Sequence, residues 1–162
     1  MRKNKTKNAS RKGVELDLES IKSMAERCPE LVGYGFDGCG PLDYSIDSLR
    51  RLDAVIDALR AESVDWTSDT AYRMVMAFGC YAGETLVRAF GGAWVKVGDD
   101  MSELAFFDGW AVKLTHGLAN PISKAFKRYD DSEGHSLYTF AQVCKQICVD
   151  GLIDDIEVGS AS

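Results

Sequence analysis

Three sets of side chains in this 162-residue sequence could do chemistry. Glu84 and Arg88 stand one helical turn apart, and Tyr81 lies on the same strip within one turn of the glutamate. A carboxylate between a guanidinium and a phenol can act as an acid or base, or it can be half of a structural ion pair. The order Glu before Arg at i,i+4 is the favourable one, and the ion pair is the expected reading. If a following sheet covers the strip, the pair must be well hydrogen-bonded to be tolerated. Cys144 and Cys148 form the second set, four residues apart with His135 nearby. Two metal ligands can use that spacing, but Leu137, Phe140, Ala141 and Ile147 share the face, and neither a CxxC pair nor a fourth ligand is present. The thiols therefore read as small core hydrophobes, and neither metal nor cofactor is expected. The third set pairs Cys39 or Cys80 with His116 or His135. Five cysteines and two histidines produce such dyads by chance, so no catalytic residue is assigned.

Composition narrows the class. With 46% hydrophobic and 27% charged residues and only 3 prolines, a disordered, collagen-like or proline-rich chain is excluded. An odd number of cysteines, with no apolar run after the basic amino terminus, predicts reduced thiols and a cytoplasmic location without a membrane span. Charge is unevenly placed. Residues 1–13 hold six basic side chains and no acid, while the other 149 hold 13 basic and 25 acidic ones, a net of −12. A like-charged segment without apolar residues cannot offset its conformational entropy. The expected organisation is a disordered basic tail over 1–13, a single globular domain over 14–155 and a frayed end over 156–162.

The elements that must position the candidate residues follow from periodicity. Leu18, Ile21, Met24, Ala25 and Cys28 recur at helical spacing over 17–28, and Pro29 is expected to stop that helix. Four glycines over 33–40 fail the test for a phosphate cradle, since no GK[ST] follows and Asp37 repels phosphate, so a surface loop is expected. Over 46–61, Ser45 is a plausible N-cap, and Leu49, Leu52, Val55, Ile56 and Leu59 form a buried stripe. Arg50, Arg51, Asp53, Asp57 and Arg60 read as its solvated face, with an Asp47–Arg51 pair. Over 68–90 the helix is apolar around most of its circumference, with Gly79, Ala82 and Gly83 where another backbone can approach; it should be central and the most buried.

Gly91-Gly92 ends that helix, one glycine supplying the left-handed cap. Strands are expected at 93–97, 103–107 and 110–115, the last two joined through Asp108-Gly109. Pro121 opens a helix over 122–129, and a last helix covers 136–149. The fold class expected is α+β, helices packed with a small three-stranded antiparallel sheet.

The runs Leu42-Asp43-Tyr44-Ser45, Ser48-Leu49, Leu52-Asp53, Gly79-Cys80-Tyr81-Ala82-Gly83-Glu84 and Gly91-Gly92-Ala93-Trp94, with Asn120-Pro121 downstream, resemble a family of small uncharacterised bacterial proteins. In it a G-x-Y-x-G-E helix leads to a glycine-capped turn and a tryptophan-bearing strand. The resemblance covers about residues 42–130 and implies a fold without implying an activity. Tyr81, Glu84, Arg88 and Trp94 are the candidate binding residues. Three function classes remain open: a non-enzymatic protein-interaction or inhibitor domain of bacterial type, the immunity kind included; a nucleic-acid-associated accessory protein using the basic tail; and a small enzyme with Glu84 as acid or base.

Overall fold

The computed structural model describes residues 16–35, 41–62, 69–97, 109–131 and 134–151. The tail over 1–13, the chain end from 152, the strand expected at 103–107 and Cys39 lie outside them. The described fold is α+β: five α-helices and a three-stranded antiparallel sheet in the order β1-β2-β3.

Helix α1 runs Leu18–Gly35, straight through Pro29. This corrects the expectation that Pro29 ends it, and part of the expected glycine loop is therefore helix. Proline in a helix interior costs a hydrogen bond to the carbonyl four residues earlier. Here that carbonyl, Ala25 O, accepts instead from the Tyr44 hydroxyl at 3.1 Å. The apolar stripe then continues past the proline, with Ile21, Ala25, Cys28 and Val32 all buried.

Helix α2 spans Ser48–Ala61. Its N-cap position is Asp47, without a side-chain cap bond, which corrects the expectation of Ser45; the Ser45 Oγ accepts from Ser48 N at 3.1 Å and closes the turn that leads into the helix. Leu49, Leu52, Val55, Ile56 and Leu59 are buried as the stripe demands, and Asp47 pairs with Arg51 at 3.7 Å. Asp53 departs from the expected solvated face: it is buried. At about 100° per residue it lies about 40° from Leu49, at the edge of the stripe, and there it meets another helix end.

Helix α3, Asp69–Phe90, packs against α1 and, on its small-residue side, against α4, Pro121–Asp130. A Cβ at Gly79 would lie 2.6 Å from Ile122 Cα, so only glycine lets α4 come this close. A Cβ at Gly83 would fall within the Trp94 ring and 2.9 Å from Pro121 Cγ. Gly91 caps the helix at φ +69°, donating its N–H to Val87 O at 2.9 Å.

Strand β1, Ala93–Lys96, pairs antiparallel with β2, Trp110–Leu114, placing Trp94 opposite Val112. The third described strand is β3, Gly117–Ala119, paired with β2. The sequence reading did not pick it out: three residues, two of them small, carry no alternation signal. Trp110 Nε1 donates to Leu16 O at 2.7 Å, tying the start of α1 to the sheet.

Asn120 caps α4 by accepting from Ser123 N, with Pro121 in the first turn. Helix α5 is Leu137–Cys144, followed by a π-helical turn over Lys145–Val149. The last helix expected is thus present, but its final turn is wider than an α-helix.

Candidate functional site

The four candidate residues do converge: Tyr44 joins Tyr81 to Arg88, and Glu84 joins Arg88 to Trp94. Tyr44 has φ 61°, a region that bulky residues enter only when the surroundings hold them there. The hold is visible on every side of the residue. Its ring stacks on Tyr81 with centroids 4.8 Å apart, and the Arg88 guanidinium lies 3.7 Å above its centroid. Its N–H donates to the Tyr81 hydroxyl at 2.8 Å, and its own hydroxyl satisfies the Ala25 carbonyl.

Proton counting fixes the direction of the chain that follows. Ser48 Oγ lies 2.6 Å from Ser45 O and 2.7 Å from the Tyr81 oxygen. A hydroxyl has one proton, and a carbonyl can only accept. Ser48 therefore donates to Ser45 O, Tyr81 donates to Ser48, and Tyr44 N–H donates to Tyr81. Burial pushes the Tyr81 phenol above its ordinary range, in keeping with a hydroxyl that stays protonated.

Glu84 takes a different course from the one its spacing suggested. Its Oε1 pairs with Arg88 Nε at 3.3 Å and its Oε2 accepts from Trp94 Nε1 at 3.4 Å. The Tyr81 hydroxyl, expected within its reach, is committed to Ser48 and Tyr44. The covering of the strip is also one-sided: the Glu84 side chain is 13% exposed under Trp94, whereas that of Arg88 is 49% exposed. Tyr81 and Trp94 are buried. Tyr44 and Ser48 complete the cluster; sequence reasoning quoted both in its motif without giving either a role.

A second polar cluster was not foreseen. Asp53 accepts from Leu137 N at 2.8 Å, Tyr138 N at 3.2 Å and Ser136 Oγ at 2.7 Å, capping the start of α5 from a neighbouring helix. Arg128, on α4, lies 3.5 Å from Asp53 and 2.7 Å from Asp57. A carboxylate at a helix N-terminus is favoured by the dipole and the orphan N–H groups. A cleft of about 520 Å³ opens beside this cluster, lined by Asp57, Arg60, Ala61 and Arg128.

The thiols are placed for packing. Cys28, Cys80, Cys144 and Cys148 are free and buried. Burial pushes Cys80 and Cys144 up to about 12, the reverse of what a thiolate nucleophile or metal ligand needs. His135 Nδ1 meets Lys124 Nζ at 3.3 Å, and His116 donates its backbone N–H to Cys148 O at 2.7 Å. Among the described residues no group of three His, Cys, Asp or Glu side chains is placed to hold a metal. Compared with known proteins, the chain matches no family model, no curated protein and no solved structure.

Proposed function

We propose that the chain is a non-enzymatic binding module that acts by occupying a protein partner, as an inhibitor or immunity protein of bacterial type does. One observation carries the reading: the candidate residues are spent on holding a joint. Tyr81 and Trp94 are buried, both Glu84 oxygens are engaged, and the Arg88 guanidinium is the group of the four that reaches solvent. Such an arrangement keeps a surface in shape instead of opening a reaction space. Arg88 on the face of Tyr44 offers the arginine and aromatic groups in which interfaces concentrate binding energy. A cytoplasmic setting with reduced thiols goes with this reading, and no described helix is long and apolar enough to cross a membrane.

Calorimetric titration with the protein encoded beside this chain tests the reading. Arg88→Ala is expected to weaken the complex about tenfold or more while the urea midpoint moves little. An unchanged affinity, or turnover of a substrate abolished by Glu84→Gln, overturns it.

The alternative reading rests on residues 1–13, with six basic side chains and no acid. A basic arm gains affinity for nucleic acid by releasing counterions. Duplex DNA binding that falls steeply with salt and vanishes on deleting 1–13 would establish it in place of the first.

A further inference from the structure

The joint formed by Glu84, Arg88 and Tyr44 leaves one edge of a guanidinium in use by nothing else. Arg88 is fixed on two sides: its Nε donates to Glu84 Oε1 at 3.3 Å, and its centre lies 3.7 Å above the Tyr44 ring. Both holders are themselves held. Glu84 accepts through its other oxygen from Trp94 Nε1, and Tyr44 is clamped by its stack on Tyr81 and its bonds to Tyr81 and Ala25. Among the described residues Nη1 and Nη2 make no hydrogen bond, and the side chain is 49% exposed. A guanidinium presents its N–H groups in a planar fork. With its face and its Nε edge taken, the terminal pair is the part left to reach outward. The platform under it is strained, Tyr44 holding φ 61°, and strain of this kind is found at ligand clamps.

Resting on the reading that Arg88 meets a protein partner, we propose that its terminal nitrogens are a carboxylate-binding fork, and that the group they take is an aspartate or glutamate side chain of that partner. Parallel N–H···O bonds from Nη1 and Nη2 match the paired oxygens of a carboxylate. Because the arginine is already ordered in the folded chain, little rotamer freedom is lost when the fork closes. Charge sets the class of anion. Glu84 stays beside the guanidinium. Asp43, next to Tyr44 in the chain, is held below the ordinary carboxylate range by the Ser45 hydroxyl at 2.6 Å and the Ser45 N–H at 3.1 Å, and so stays ionised. A cation with one carboxylate in contact and another beside its platform accommodates a singly charged group and disfavours a phosphate dianion.

The test titrates sodium acetate, a bare carboxylate, into the isotope-labelled full chain at constant ionic strength and follows it by NMR. The readout is the indole N–H of Trp94, which is buried and senses Arg88 through Glu84. The Trp110 indole, bonded to Leu16 O, is the internal reference. The Trp94 signal is expected to move along a saturating curve while Trp110 stays still, and inorganic phosphate should move it less than acetate does. Arg88→Lys keeps the charge without the fork and should weaken acetate about fivefold or more. Arg88→Gln should abolish the movement. An unchanged far-UV spectrum shows that a variant is folded, and should either misfold, the other carries the comparison. A Trp94 signal that ignores acetate, follows phosphate more strongly, or moves as well in either variant overturns the fork. That failure leaves the binding-module reading standing if Arg88→Ala still weakens the complex with the protein partner. Acetate binding together with an unchanged complex in Arg88→Ala sinks the reading and the assignment of the partner's carboxylate with it.

Discussion

The Tyr44 cluster and the Asp53 cluster solve opposite problems. Around Tyr44, neutral hydroxyls and stacked rings occupy the interior, and the one full positive charge, Arg88, is half exposed. Around Asp53, both charges are inside, with the Asp53 and Arg128 side chains each only 11% exposed. A buried pair is tolerated when its remaining hydrogen-bonding capacity is filled. Asp53 meets that condition with two backbone N–H groups and a serine hydroxyl. The difference teaches that the conspicuous i,i+4 pair on α3 matters less to stability than the pair formed between α2 and α4.

The largest effect is therefore expected at Asp53. Asp53→Ala uncaps α5 and leaves Arg128 buried beside Asp57 alone, at a cost of about 3–5 kcal/mol. Urea denaturation measures it, and adding Arg128→Met should recover part of the loss. A cost below that of Glu84→Gln would invert the comparison.

Tyr81→Phe comes next. It removes the oxygen that accepts from Tyr44 N and donates to Ser48, while keeping the ring stack. Leaving a buried donor unpaired costs about 1–3 kcal/mol, and release of Tyr44 from its left-handed conformation should appear as faster exchange of its amide.

Alkaline pH probes the packing that both clusters frame. Cys80 and Cys144 are raised from 9.0 to about 12 in the folded chain. Their contribution is fully present below pH 9.0 and is lost as pH rises towards 12, because the unfolded chain gives up these protons first. Stability should fall across that window, and Cys80→Ala should flatten the fall. A thiol-specific disulfide reagent should react slowly with both thiols at pH 8 until the chain unfolds.

Glu84→Gln is expected to have the smallest effect, under about 1 kcal/mol, since its partner keeps its water and its cation–π contact with Tyr44. Sequence spacing alone allowed a larger cost, on the premise that Arg88 was covered. An equilibrium midpoint shifted as much as by Tyr81→Phe would restore that premise.

The same contrast divides what was legible. Residues Gly79, Gly83, Glu84, Gly91 and Trp94 announced a central helix, a close approach and a capped turn, and each does what its type dictates locally. The α2 stripe was legible for the same reason. Charge placement was less so: the described residues hold 13 basic and 14 acidic side chains, a net of −1, so the acidic excess belongs to the segments outside them.

By itself the sequence determined the periodic faces, the glycine positions and the caps, because these depend on neighbours within about one helical turn. The tertiary structure decided the rest. Pro29 stays in α1 because Tyr44, 15 residues on, supplies the hydrogen bond to Ala25 that the proline ring cannot. Asp53 is interior because α5 brings its N-terminus to it, 84 residues away in sequence. Tyr81 turns from Glu84 because Ser48 and the Tyr44 amide are nearer hydrogen-bonding partners in the folded chain. A polar group's fate is set by the partner that arrives from elsewhere, and local spacing carries no record of that arrival.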